Sequence, residues 1–346
     1  MEKRVLIARW LGSKTEPIPI YDEASVSTAR QRVRKIGEEL NLTKELVESV
    51  AVIASEVTHN QLSHARQGYF AVKGVERGGA KGLQVIAADI GPAIKKPGIA
   101  TQDKVSSTSG SLGAGLAGVC RIADEVAFDN RIDEGLCIIA RKFEKSAVSR
   151  SVEVAVMGRP YPGEAISGDD AVFFDSESTF IAGVADGMGH GPDARKASNR
   201  AIEGLSTKLE RNLEEIVIAL NQEVSGTHGC AMGIIRFDKK TGEAECVSLG
   251  DVHSHLYYLK EAHFFTPTPL VLAAGQFQKQ RVRVEKVAVQ PGSVLIMFTD
   301  GLKSRTTLKG QLDVLRQQPI VIAEHLLEND ARPDDDALVL VARFPR

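Results

Sequence analysis

Residues 186–191 (DGMGHG) and 298–301 (FTDG) decide the fold of the second half of this chain. In each stretch an aspartate, Asp186 or Asp300, follows an apolar run typical of a strand and precedes a glycine turn. Two further acidic sites, Asp169-Asp170 and residues 334–336 (DDD), also adjoin strand patterns. A single Asp-Gly pair would be read as an ordinary turn, but four such sites are harder to explain as turns alone.

These carboxylates predict a metal site. Hard divalent cations such as Mg²⁺ and Mn²⁺ bind carboxylate and water oxygens. Two of them side by side can generate a hydroxide and clamp a phosphoryl group. The C-terminal half therefore has the pattern of a metal-dependent phosphatase.

Composition limits the remaining classes. The length of 346 residues predicts two domains, each large enough for its own core, and a net charge of -2 gives no electrostatic argument for nucleic acid. The sequence contains no apolar run of about 18 residues, so we expect no membrane span. Four scattered cysteines without CxxC spacing indicate a reduced, cytoplasmic protein.

The clearest seam lies near residues 145–150, which predicts domains 1–145 and 146–346. Before the seam, two helices with apolar stripes are expected from about residue 25 to 40, capped by Ser25 or Ser27, and from about 43 to 65. After it, six strand patterns surround two helices, near residues 193–209 and 213–224. Long helices among many antiparallel strands predict an α+β fold.

The first half carries its own polar constellation. Glu56 and Asn60 lie four residues apart, on one face of the second helix and off its apolar stripe. Asp89 ends an apolar strand and begins the run DIGP, and residues 111–116 (SLGAGL) provide small residues before a helix. Such parts can take a proton, hold Mg²⁺, contact a base and approach phosphate. Each part alone is also typical of a solvated helix face or a simple turn.

In this order, the parts of residues 20–143 resemble the GHKL (Bergerat-fold) ATP-binding family, and within it the RsbT-like and RsbW-like anti-sigma serine kinases. Residues 54–60 (ASEVTHN) are similar to that family's N-box. The resemblance implies an α/β sandwich that binds ATP with Mg²⁺, with Glu56 as the base that activates a protein hydroxyl and Asn60 as Mg²⁺ ligand. It also implies that the remaining nucleotide contacts are Asp89, Gly91, Gly113, Gly115 and Leu116. The family usually has a second glycine where this chain has Ala93.

The four acidic sites of residues 150–346 resemble the SpoIIE/RsbX-type serine/threonine phosphatases, relatives of protein phosphatase 2C. The resemblance implies a β-sandwich flanked by helices and two Mn²⁺ or Mg²⁺ ions. It implies Asp186 as the bridging ligand, with the Gly187 carbonyl beside it, and Asp169 on the second metal. Asp300 and Asp335 would bind the first metal, and Asp170 and Asp336 are neighbouring candidate ligands. Arg159 is the nearby candidate for gripping phosphate.

Together the two halves predict a bifunctional bacterial signalling regulator, in which a serine/threonine kinase and a phosphoprotein phosphatase are fused. In the families that it resembles, the partners are STAS-domain anti-sigma antagonists or stressosome proteins, and the process is partner switching. The alternative is that the N-terminal half only binds nucleotide and partner, and recruits or gates the phosphatase.

Overall fold

The computed structural model describes residues 2–12, 16–65, 67–101, 112–144, 152–273 and 282–345. The chain divides into two compact units, Met1–Glu153 and Val154–Arg346. The predicted linker at 145–150 lies outside the described residues. Both units combine helices with antiparallel sheets, so the α+β prediction is confirmed.

The first unit has one five-stranded antiparallel sheet in the order β1-β2-β3-β5-β4. Its described elements are α1 (Glu2–Leu11), β1 (Ile18–Ile20), α2 (Glu23–Glu39), α3 (Lys44–His64), β2 (Gly68–Arg77), β3 (Ala80–Asp89), α4 (Pro97–Ala100), α5 (Leu112–Ile122), β4 (Glu125–Arg131) and β5 (Gly135–Phe143).

The start of α2 differs from the prediction, because Asp22 caps it rather than Ser25 or Ser27. The Asp22 carboxylate accepts the Ser25 N–H at 2.7 Å, and the Ser25 hydroxyl oxygen accepts the Asp22 N–H at 3.1 Å. The two residues thus form a capping box in which the acid stands first. The carboxylate begins the helix three residues earlier than serine would.

Helices cover both faces of this sheet. Helix α3 packs on β3 and β5, and its buried stripe includes Val50, Ile53 and Val57. Helix α1, which the sequence analysis did not predict, packs through Ile7 and Leu11 on side chains of the opposite face. Since neighbouring strand residues alternate between faces, Ala87 and Asp89 share the α3 side of β3.

The second unit contains two five-stranded sheets, in the orders β6-β15-β14-β11-β12 and β13-β10-β9-β8-β7. Its described elements are β6 (Glu153–Arg159), β7 (Asp169–Asp175), β8 (Thr179–Gly187), α6 (Gly191–Ser206), α7 (Leu213–Glu223), β9 (Cys230–Asp238), β10 (Glu243–Leu249), β11 (His253–Tyr258), β12 (Glu261–Phe264), β13 (Glu285–Ala288), β14 (Val294–Phe298), α8 (Leu312–Leu315), α9 (Pro319–Asp330) and β15 (Ala337–Arg343).

The two sheets of the second unit pack face to face. Phe344, just after β15, makes edge contacts with Phe180 of β8 and Phe237 of β9, with ring centroids 6.0 and 4.6 Å apart. Helices α6 and α7 pack on one sheet, and α9 packs on β15 of the other. The result is a four-layered sandwich with helices outside. Among the helices described, none is long and apolar enough to cross a bilayer.

Candidate functional sites

A cleft in the first unit collects several of the predicted nucleotide residues. It contains roughly 440 Å³ of empty space, partly open to solvent, between α3, α5 and the sheet. Predicted residues in its lining are Asn60, Asp89 and Leu116. The residues that the sequence analysis had not assigned to it are Val57, Gln61, His64, Ala87, Pro92, Ile94, Leu136 and Ile138. The lining combines an apolar wall with a few polar groups, as ligand clefts usually do.

Glu56 and Asn60 lie where α3 faces α5. A Cβ atom at Gly115 would be 2.6 Å from the Glu56 Oε2 atom and 3.4 Å from the Asn60 Oδ1 atom. Gly115 therefore lets α5 approach both polar side chains of α3. Gly113 belongs to the first turn of α5, while residues 102–111 lie outside the described part of the chain.

Asp89 is a buried carboxyl at the end of β3. Burial raises its pKa to about 6, against the opposing effect of hydrogen bonds from the Gly91 and Leu136 N–H groups. The Gly91 N–H donates to Asp89 Oδ1 at 2.8 Å, so the predicted glycine holds the carboxyl in place. Such a carboxyl can accept a hydrogen bond from an amino group that enters the cleft.

Ala93, the departure from the family pattern, has a backbone conformation that favours glycine. Its φ angle is +62°, in the left-handed region that favours glycine. The two neighbouring residues are held in place: Asn130 bonds the Ile94 N–H and carbonyl at 2.9 and 2.8 Å, and the Asp133 N–H donates to the Pro92 carbonyl at 3.2 Å. The chain therefore keeps an alanine in a conformation that usually belongs to glycine.

In the second unit, the first two predicted ligands are cross-strand partners. Asp169 on β7 lies directly opposite Asp186 on β8. The Thr299 hydroxyl, next to Asp300, donates to Asp169 Oδ2 at 2.7 Å. Strand alternation directs Asp170 to the other face of β7, so Asp169 is the member of this pair that faces Asp186. Asp170 Oδ1 accepts the Ala171 N–H at 2.8 Å.

Carboxylates from four separate segments act on one another electrostatically. Burial raises the pKa of Asp186 well above its usual value, and the charges of Asp300 and Asp335 raise it further. Burial also raises the pKa of Asp169, with a second contribution from Asp186. The pKa of Asp335 is raised by its burial and by Asp300. Like charges gathered in a partly dry site create a strong attraction for cations.

Two glycines beside these aspartates have no room for a side chain. A Cβ atom at Gly187 would lie 2.0 Å from the Ala194 carbonyl oxygen. A Cβ atom at Gly301 would lie 1.7 Å from the Asp336 carbonyl oxygen. The Asp-Gly pairs are therefore points of close backbone approach, at which α6 meets β8 and the turn after β14 meets the start of β15.

Two further residues contact the segments around these aspartates. His190 is the N-cap residue of α6; its ring stacks on Tyr161 with centroids 4.5 Å apart, and its Nδ1 atom is 3.1 Å from Glu164 Oε1. The Arg159 guanidinium donates to the backbone carbonyls of Asp335, at 3.0 Å, and Arg332. Arg159 thus fixes the loop that carries Asp335, a role that the sequence analysis missed.

The donor chemistry of this centre fits hard divalent cations, since buried carboxylates repel one another and a cation relieves that repulsion. Within the described ranges, no three His, Cys, Asp or Glu side chains are arranged as a group that could hold a metal ion. The carboxyls instead contact in smaller sets, such as Asp186 with Asp300. Burial raises the pKa of the Cys230 thiol to about 12, which disfavours the nucleophilic thiolate.

The comparisons with known proteins found a matching family for each half of the chain. Residues 21–142 match the family described as "Histidine kinase-like ATPase domain", and residues 176–345 match "Stage II sporulation protein E (SpoIIE)". The "Serine/threonine-protein kinase RsbT" of Bacillus subtilis (strain 168) is 35% identical over 126 residues, which is 36% of this chain and 94% of that protein.

Two solved structures share the fold of part of the chain. One, described as "The bacterial stressosome: a modular system that has been adapted to control secondary messenger signaling", is 26% identical with a TM-score of 0.53, and the match covers 56% of this chain and 100% of that one. The other, RsbX in complex with magnesium, is 21% identical with a TM-score of 0.50, and covers 56% and 96%.

The fold, the cleft and the acidic centre belong to a two-domain protein in which a histidine-kinase-like ATPase domain precedes a domain that matches SpoIIE. The chain belongs to the RsbT-like serine/threonine kinase family through its first unit. The predictions of family and enzyme class are confirmed.

Proposed function

We propose that the second unit removes phosphate from serine or threonine of a partner protein. Asp186 with the Gly187 carbonyl would bridge two divalent cations, Asp169 would bind the second ion, and Asp300 and Asp335 the first. Two ions held there would supply a water of lowered pKa and neutralise charge on the phosphoryl group. The observation that carries the proposal is geometric: Asp169 and Asp186 lie opposite each other on β7 and β8, and the hydroxyl of Thr299, next to Asp300, donates to Asp169. We retain Asp170 only as a neighbour that supports the strand.

The first unit, we propose, binds ATP with Mg²⁺ and transfers its γ-phosphate to a protein hydroxyl. Glu56 would take the proton of that hydroxyl, Asn60 would hold Mg²⁺, and Asp89 would accept a hydrogen bond from the adenine amino group. Gly91, Gly113, Gly115 and Leu116 would shape the nucleotide site. The supporting observation is the cleft in which Asn60, Asp89 and Leu116 meet.

The partner that suits both activities is a STAS-domain protein of an anti-sigma or stressosome system, phosphorylated by one unit and dephosphorylated by the other. The identity with RsbT and the similarity to a stressosome structure support this choice. The process would be partner switching in a stress response, with Mn²⁺ or Mg²⁺ in the phosphatase.

The phosphatase assay uses the full chain without ATP, a phosphorylated STAS protein and added Mn²⁺. We expect phosphate release in the wild type and in Asp313→Asn, an exposed aspartate of α8, and loss of release in Asp186→Asn. Metal-independent release, or release that survives in Asp186→Asn, would refute the assigned chemistry.

The kinase assay uses radiolabelled ATP in the Asp186→Asn background, because an active phosphatase would remove the label. We expect transfer to a STAS protein that is lost in Glu56→Ala and retained in Glu45→Ala, an exposed change in the first turn of the same helix. Nucleotide binding without transfer to any STAS protein would favour the alternative, in which the first unit binds nucleotide and partner and only recruits or gates the phosphatase. Ala93, which lines the cleft with a left-handed backbone, is the observation that favours this alternative.

A further inference from the structure

Three consecutive aspartates near the C-terminus occupy three different environments. Asp334 is exposed, Asp335 is half-buried, and Asp336 is only 3% exposed. The proposed function uses Asp335 alone. A buried carboxylate is costly unless hydrogen bonds or charges compensate it, so the partners of Asp336 indicate its role.

Asp336 is hydrogen bonded to the segment that leads into β7. Its Oδ1 atom accepts the Tyr161 N–H at 2.7 Å. The nearby Gly168 N–H and Ser167 hydroxyl oppose the rise in its pKa that burial causes, while its Oδ2 atom has no hydrogen-bond partner within the described residues. These donors directly precede Asp169 in the chain.

Ser167 extends this connection to Asp169 itself. The Ser167 hydroxyl oxygen accepts the Asp169 N–H at 3.1 Å. Gly168 is closely packed at the same place, since a Cβ atom there would lie 2.9 Å from Asp336 Oδ2 and 2.8 Å from the Ala194 Cβ. One carboxylate therefore fixes the backbone before Asp169 while being the sequence neighbour of Asp335.

We propose that Asp336 is a positioning residue: it joins the segment that delivers Asp169 to the segment that delivers Asp335, and so sets the spacing of two metal ligands without binding metal. The inference rests on the proposed phosphatase function. Its charge also acts on Asp169 across this short distance. Hydrogen-bond partners that orient metal ligands typically change metal affinity 10- to 100-fold when they are mutated.

The run of three aspartates provides its own controls. Mn²⁺ binding to the full chain is measured by calorimetry for Asp334→Asn, Asp335→Asn and Asp336→Asn, with metal-free thermal unfolding of each. We expect wild-type affinity for Asp334→Asn, lost binding for Asp335→Asn, and roughly tenfold weaker binding for Asp336→Asn. Ser167→Ala removes one donor and leaves the carboxylate, so it should also weaken Mn²⁺ binding. It provides the test if Asp336→Asn does not fold.

Two outcomes would overturn the assignment. If Asp336→Asn and Ser167→Ala both bind Mn²⁺ as tightly as Asp334→Asn does, Asp336 sets no ligand spacing. If Asp336→Asn loses binding as completely as Asp335→Asn, it is a ligand instead. Failure of the proposed function is a separate result, in which Asp335→Asn binds as much Mn²⁺ as the wild type.

Discussion

Ala93 allows a sharp test of how the ATP cleft is built. An alanine in the left-handed region costs about 1–2 kcal/mol relative to its preferred conformations. Glycine has no such penalty, but it loses about 0.4–1 kcal/mol more conformational entropy on folding. Because the bonds to Pro92 and Ile94 hold the turn in place, Ala93→Gly should keep the φ angle of 62° and stabilise the first unit by about 0.5–1 kcal/mol.

The assay is thermal unfolding of the full chain, followed with nucleotide titration. A gain of that size should raise the unfolding temperature of the first unit by about 2–4 °C. Nucleotide affinity should stay equal or increase, since a methyl group leaves the cleft wall. The matched control is Ala117→Gly inside α5, where glycine should cost about 1 kcal/mol. The reasoning is wrong if Ala93→Gly lowers the unfolding temperature as much as the control does.

Three other changes test separate contacts. Gly187→Ala places a Cβ atom 2.0 Å from a backbone carbonyl oxygen and should lower the free energy of unfolding by about 1–3 kcal/mol or more. The control Gly118→Ala in α5, whose added Cβ would have its nearest atom 3.9 Å away, should raise it by up to about 1 kcal/mol. A thermal unfolding curve of Gly187→Ala that matches the wild type would contradict this packing. Gly115→Ala should displace the flexible Glu56 side chain and reduce phosphate transfer roughly 10- to 100-fold, with little change in unfolding temperature; full transfer would place Glu56 outside the chemistry. Burial lowers the pKa of His255 from 6.5 to about 4, so the unfolded chain takes this proton first as pH falls. The stability that neutral His255 contributes is present above about pH 6.5 and is lost towards pH 4, by roughly 2 kcal/mol at pH 5. In chemical denaturation, the free energy of unfolding of His255→Phe should therefore fall less between pH 7 and pH 5 than that of the wild type. The same fall in both proteins would refute the assignment.

Much of the acidic centre could be predicted because its residues follow local rules. An apolar strand that ends in Asp-Gly places a carboxylate at the strand end, and this happens at Asp186 and after β14 at Asp300. The strand pattern alone, without the family resemblance, does not indicate which member of Asp169-Asp170 faces the centre. That choice depends on strand register, which pairs Asp169 with Asp186.

Contacts between elements that are far apart in the chain could not be predicted from local sequence patterns. Nothing local to Glu56 indicates that Gly115 packs against it, because helix packing across the chain decides that contact. Helix α1 was missed since its short apolar run is interrupted by Arg9 and gains its stability from the sheet beneath it. The contact between Gln61 and Gly68, where a Cβ atom would lie 2.7 Å from the glutamine side chain, likewise has no local sequence signal.

The acidic centre consists of two pairs carried by different sheets. Asp169 and Asp186 belong to the adjacent strands β7 and β8, while Asp300 and Asp335 flank the adjacent strands β14 and β15. The ladder fixes the separation of Asp169 and Asp186, whereas the Thr299 hydroxyl joins this pair to the segment of Asp300, and Asp336 joins the segments of Asp169 and Asp335. A change in how the two sheets pack would therefore alter the spacing between the pairs even where no carboxylate is contacted.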